Sequence, residues 1–181
     1  LQAALVMLFE MVFADAGISP AAWQQRRYRV TCGFPIGYRG SKTGKVVLGQ
    51  AFDASISADG TMEVFINPLV DDVVEVLRIL THEFIHVWAG IDCGHKGEFA
   101  RIAKAVGFIA PMTQTPAGPA LLETLKEIAD ILGEYPHAKI DANLRKKQGT
   151  RMLKILCNEC GFTARGSLKW QSTITAESHC P

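Results

Sequence analysis

Residues His82-Glu83-Phe84-Ile85-His86 carry the pattern H-E-x-x-H. On a helix each residue advances by about 100°, so the two histidines lie roughly 40° apart on one face and one turn apart along the axis, and both imidazoles reach a single ion. Glu83 sits about 60° from His86 on the same side, placed to accept a proton from a water at that ion without being a ligand itself. The chemistry this spacing serves is metal-assisted hydrolysis.

Catalytic zinc keeps three protein ligands and one open position, so a third ligand is needed. Gly90 ends the helix, the chain turns through Ile91-Asp92-Cys93-Gly94, and His95 arrives at the start of the next helix, extending the pattern to HExxH-x8-H. That short reversal can return His95 to the ion. Cys93 and Glu98 compete for the place, although Glu98 is better set to pair with Arg101 three residues on. The ordinary alternative, a hydrogen-bonded pair of core histidines, is disfavoured because a third histidine follows the most apolar helix of the chain at once.

A second set of candidate ligands lies near the C-terminus. Cys157-Asn158-Glu159-Cys160-Gly161-Phe162 has the form of a zinc knuckle, two thiolates two residues apart with glycine allowing the turn beneath the metal. Cys180 is a third ligand, and the adjacent His179 is one candidate for the fourth. Cys32 and Cys93 stand alone, so the five cysteines do not read as a disulfide framework, and a reducing cytoplasmic setting fits them.

Positioning the H-E-x-x-H segment requires a buried helix. Pro68 and Asp71-Asp72 open one that runs to Gly90, with carboxylates near the positive end of its dipole. Val73, Val74, Val76, Leu77, Ile79, Leu80, Phe84, Ile85, Val87 and Trp88 surround most of its circumference, as in a core helix. Residues 26–32 alternate with Tyr28, Val30 and Cys32 on one face, and residues 45–57 and 61–67 form two further β-prone runs around Ala58-Asp59-Gly60. Together they predict a small, largely antiparallel sheet of about three strands. Further helices are expected over 2–16, 95–106 and 119–132, with a Pro/Gly/Thr loop over 107–118 and a Gly/Lys/Arg-rich loop over 37–44. The apolar N-terminal run is interrupted by Glu10, lacks a basic flank and is shorter than the roughly 20 residues of a spanning helix, so no membrane segment is expected. The chain begins without Met, as a fragment of a longer protein would.

The length of 181 residues allows one sizeable domain and a small appendage, and the composition, 48% hydrophobic and 20% charged, excludes a disordered chain. The net charge of +1 conceals a partition. Residues 138–181 hold eight Lys or Arg against three Asp or Glu, a balance of +5, and residues 1–137 hold eleven against fifteen, a balance of −4. The expected organisation is an α+β catalytic domain over 1–137, a basic linker over 138–151 and a metal-held module over 152–181, which is too short to build a core alone. Arg145, Lys146, Lys147, Arg151, Lys154, Arg165 and Lys169 suit phosphate contact, with Trp170 and Phe162 as stacking groups for single-stranded bases. A solvated basic linker is the plainer reading of the same residues.

RRYRVTCGFP, the Asp-Gly turn, INPLVDDVVEVLRILTHEFIHVWAG, GHKGEFARIAKAVGF and the CNECG knuckle together resemble the SprT-like zinc metallopeptidase family, which includes the Spartan protease domain. The likeness covers nearly the whole chain, and its most specific element is HExxH followed by Gly94-His95-x-x-Glu98-Phe99. It implies a compact zincin-like α+β fold with His82, His86 and His95 as zinc ligands, Glu83 as acid/base and Phe99 as a packing residue. It further implies a C-terminal zinc ribbon in which Cys157, Cys160 and Cys180 bind a structural zinc, the chain stopping just before the last cysteine of a C-P-x-C knuckle. The implied function is a metalloendopeptidase acting on DNA-bound or DNA-crosslinked proteins, with single-stranded or damaged DNA as partner; the sequence leaves the oligomeric state open, with a monomer the favoured form. The competing reading is a non-proteolytic nucleic-acid-binding or regulatory factor whose zinc is structural. Candidates for an additional oxyanion donor are Tyr28, Tyr38, Tyr135 and His137, and Met112 reads as packing because the longer metzincin pattern is absent.

Overall fold

The computed structural model describes residues 1–19, 26–36, 46–141, 152–167 and 169. The chain falls into two compact units, Leu1–Asp141 and Ala142–Pro181. The first is a mixed α+β body. Its elements are helix α1 (Gln2–Leu8), strands β1 (Tyr28–Cys32), β2 (Gly49–Phe52) and β3 (Met62–Ile66), and helices α2 (Val73–Ala89), α3 (Gly97–Ala105) and α4 (Pro119–Leu132).

The expected apolar helix α2 forms because its start and stop are locally encoded. Asp72 caps it, its carboxylate accepting the Glu75 N–H at 2.8 Å, and Gly90 ends it at φ +92. It contacts β2, β3, α1, α3 and α4, which accounts for its nearly all-round apolar surface. Leu77, Leu80, Phe84 and Ile85 are fully buried among Leu5, Leu8, Val64, Phe99, Ile102, Leu125 and Ile128. Each such side chain contributes about 1.5–3 kcal/mol on burial.

The sheet differs from the antiparallel one expected. Its order is β1-β3-β2, and β1 runs parallel to the central β3, Val30 opposite Val64, while only β2 is antiparallel to it, Ala51 opposite Val64. The chain leaving β1 passes to the far edge before β3 fills the gap, a path to which the two-residue period is blind. The Asp59-Gly60 turn is present at Gly60 φ +68, yet the strands it follows are shorter than predicted. Asp53 accepts the Ser55 N–H and starts a 3-10 turn over Ala54–Ile56, so the β2–β3 connection is wider than a tight hairpin. At the N-terminus α1 opens into a π-helical turn, Phe9–Phe13, which closes with Ala14 N–H on the Phe9 carbonyl and buries Phe9, Val12 and Phe13 together.

The second unit contains a two-stranded antiparallel ladder, β4 (Leu153–Leu156) and β5 (Thr163–Gly166), joined through the cysteine turn. Cys157 donates its N–H to Phe162 O at 2.9 Å, and Gly161 donates to Cys157 O at 3.1 Å, its φ of +75 allowing the reversal. Cys180, His179, Arg145, Lys146, Lys147, Arg151 and Trp170, expected as ligands or nucleic-acid contacts, lie outside the described residues. Among the described residues no helix is long and apolar enough to cross a membrane.

Candidate metal centre

α2 delivers His82 and His86 one turn apart, as their spacing requires. The return of His95 depends on the turn after Gly90, a 3-10 segment over Ile91–Cys93 followed by Gly94 at φ +53 and ψ −128, a backbone conformation glycine adopts without a Cβ clash. The outcome is convergence: His95 Nε2 lies 3.2 Å from His82 Nε2 and 3.3 Å from His86 Nε2. The ligand atoms of all three lie within 4.8 Å of one another, and this triad can hold a metal ion.

The donor set is compatible with a tetrahedral ion such as zinc. Three nitrogens at about 2.0–2.1 Å from a tetrahedral ion stand roughly 3.3–3.4 Å apart. The two separations that involve His95, 3.2 and 3.3 Å, lie close to that edge. The competing candidates are engaged elsewhere. Cys93 Sγ points at the Gly90 carbonyl, 3.0 Å away, and Glu98 pairs with Arg101 through both oxygens at 2.7 and 2.8 Å.

Phe99 lies beneath the triad, wholly buried, with its ring centroid 5.0, 4.3 and 4.9 Å from those of His82, His86 and His95. Burial in this setting makes the imidazoles poor bases. Desolvation, then the neighbouring imidazoles and Arg78, pushes His82 down to about 3; desolvation, then His95, pushes His86 down to about 4. His95 is lowered by burial as well. The triad is therefore neutral at ordinary pH, the form in which histidine donates a lone pair to a metal.

Glu83 is 5% exposed and lines the same cleft as the three histidines. Burial pushes its carboxyl up to about 8, opposed by the Ala51 N–H and by Arg78. A carboxyl so placed is poised to exchange a proton near neutral pH. Its proximity to β2 depends on Gly49, because a Cβ there would lie 2.6 Å from Glu83 Oε1 and 2.4 Å from Ile79 Cγ2.

The cleft encloses about 1030 Å³, with residues 46–51 of the β2 edge and Thr113–Ala117 of the loop before α4 among its lining. Of the expected oxyanion donors, Tyr28 packs edge-on against Phe84, Tyr135 bonds Cys32, and His137 reaches the Pro68 carbonyl; none of the three lines the cleft. Tyr38 lies outside the described residues. Met112 packs against the core, as its packing role requires.

Three residues at this site escaped sequence reasoning. Gly49 carried a readable signal, since an isolated glycine in a strand often marks close backbone approach. Arg78, one turn before His82, and Thr115, in a stretch read only as a loop, carried none. Thr115 Oγ1 lies 2.7 Å from His82 Nδ1, and Arg78 Nη1 donates to the carbonyls of Gln114 and Thr115 at 2.9 and 3.1 Å. No family model matches the chain, and no curated protein or solved structure is significantly similar to it.

Proposed function

We propose that this chain is a zinc-dependent metalloendopeptidase of the SprT-like, zincin type. The observation that carries the reading is the convergence of three neutral imidazoles on one point in a cleft that also holds the desolvated carboxyl of Glu83. His82, His86 and His95 would hold zinc, which when bound supplies Lewis acidity to water and to a scissile carbonyl. Glu83 accepts the proton of the attacking water and delivers it to the leaving amine. The β2 edge, which has no strand beyond it among the described residues, offers backbone groups to an extended peptide.

The substrate class, proteins bound or crosslinked to DNA, is proposed from the likeness to SprT-like peptidases together with the basic second unit. There Lys154 and Arg165 are direct cross-strand partners, both exposed, with no carboxylate paired to either among the described residues. Like charges held opposite each other repel, and phosphate would relieve that repulsion. Cys157 and Cys160, with Cys180 and a fourth ligand such as His179, would hold a second, structural zinc. The same pair of cations supports the second reading, a nucleic-acid-binding factor with structural zinc and no peptidase activity.

The deciding experiment compares zinc-loaded wild type with Glu83→Gln on a DNA-bound protein substrate. Wild type cleaves and Glu83→Gln retains zinc without cleaving. Equal cleavage by both removes the enzyme assignment, and salt-sensitive DNA binding without cleavage by either selects the second reading.

A further inference from the structure

The three histidines of the triad are supported differently on the side away from their convergence. His86 Nδ1 is buried without a hydrogen-bond partner among the described residues. His82 Nδ1, in contrast, meets the Thr115 hydroxyl at 2.7 Å. Thr115 is wholly buried and stands at φ +41, the one positive φ on a non-glycine residue among the described residues. A β-branched side chain resists that conformation, which persists where the surroundings over-determine it.

The surroundings do so through α2 itself. Arg78 Nη1 grips the Gln114 and Thr115 carbonyls, while Nε and Nη2 of the same guanidinium bind both oxygens of Glu75 at 2.7 and 2.6 Å. The Thr115 N–H is tied to Pro111 O at 2.9 Å, and the base of the loop is closed by Ile109 N–H on Pro116 O and Gly118 N–H on Gly107 O, each 2.9 Å. The helix that carries His82 thus also holds, one turn earlier, the loop that reaches back to it.

We propose that Thr115 is a positioning residue for the metal centre, its hydroxyl accepting the Nδ1–H of His82 so that Nε2 faces the ion, with Arg78 holding Thr115 in place. Accepting that proton selects one tautomer and one ring orientation, and such outer contacts commonly govern metal affinity. The inference rests on the metal-binding reading above and adds a residue to which no metal-ligand motif points.

The test measures Zn2+ affinity by chelator competition in a Cys157→Ser, Cys160→Ser background, so that the triad alone is read, alongside thermal melting of the metal-free protein. Thr115→Gly tolerates φ +41 but lacks the hydroxyl, and is expected to weaken Zn2+ binding by about 10- to 100-fold. Thr115→Ser, which keeps the hydroxyl, restores affinity. Arg78→Met weakens binding in the wild-type loop and adds nothing in Thr115→Gly, the signature of acting through one residue. If Thr115→Gly fails to fold, Thr115→Ala makes the same comparison with serine. Wild-type affinity in the hydroxyl-free variant, or failure of serine to restore it, overturns the proposal alone. Failure of the background protein to bind Zn2+ at all overturns the metallopeptidase reading with it.

Discussion

Glu83 rests against the backbone of Gly49, so closely that a Cβ on Gly49 would lie 2.9 Å from Glu83 Cγ and 2.6 Å from its Oε1. The edge strand and the acid of the H-E-x-x-H segment are therefore fitted to each other. Gly49→Ala must push β2 outward or turn Glu83 away. It is expected to cost about 1–3 kcal/mol of stability. The proposed peptidase activity should fall further than the melting temperature suggests, with Zn2+ affinity nearly unchanged because the triad is untouched. Activity, melting and Zn2+ titration on one preparation check this.

Removal of a ligand should separate binding from folding. The Cys157→Ser, Cys160→Ser protein is expected to show a Zn2+-dependent rise in melting temperature, and His86→Ala in that background is expected to abolish it. Free Zn2+ at about a thousand times Kd adds roughly 4 kcal/mol to a protein that binds it only when folded. A full Zn2+-dependent rise in His86→Ala would remove it from the ligand set.

Phe99 packs against all three imidazoles and is fully buried, so Phe99→Ala should destabilise the metal-free fold by about 3–5 kcal/mol. Phe99→Leu keeps most of the volume and should cost less. Denaturant unfolding of both variants gives the comparison.

The metal-free protein should lose stability in both directions from mildly acidic pH. His82 and His86 stay neutral when folded, lowered to about 3 and about 4 from an unfolded value of 6.5, so their contribution is complete above 6.5 and lost as pH falls through those values. Glu83 is raised from 4.5 to about 8, so its contribution is complete below 4.5 and lost as pH rises through about 8. From pH 6.5 to 8 the Glu83 contribution declines in wild type and is absent in Glu83→Gln. Unfolding curves of both proteins across that range test the sign.

DNA affinity, if carried partly by the β4–β5 hairpin, should depend on the Lys154 and Arg165 pair. Replacing both with alanine should weaken binding to single-stranded DNA and flatten the salt dependence by about 1.4 in log–log slope, the loss of two phosphate contacts. An unchanged slope places the contacts elsewhere in the chain.

Helix α2 is legible in the sequence because its caps at Asp72 and Gly90, its apolar surround and its helical period are all local, and the same period puts His82 and His86 on one face. The Pro119 start and Leu132 end of α4 were equally local, set by a proline at the first turn and Gly133 after the last. Strand direction was not local. Tyr28, Val30 and Cys32 alternate identically whether β1 runs parallel or antiparallel to β3, and the passage of the chain to the far sheet edge chose parallel.

By itself the sequence determined a ligand pattern, because 100° per residue fixes where positions 82, 83 and 86 stand on a helix and Gly90 with Gly94 turns His95 back within a few residues. Only the tertiary structure decided what surrounds that pattern. Thr115 meets His82 across 33 residues, and Gly49 meets Glu83 across a strand, a 3-10 turn and another strand. Such contacts are set by how α2, β2 and the 107–118 loop pack, and burial of Glu83 and the histidines follows from that packing. The protonation states of Glu83 and the three histidines therefore belong to the fold, while the choice of groups belongs to the chain.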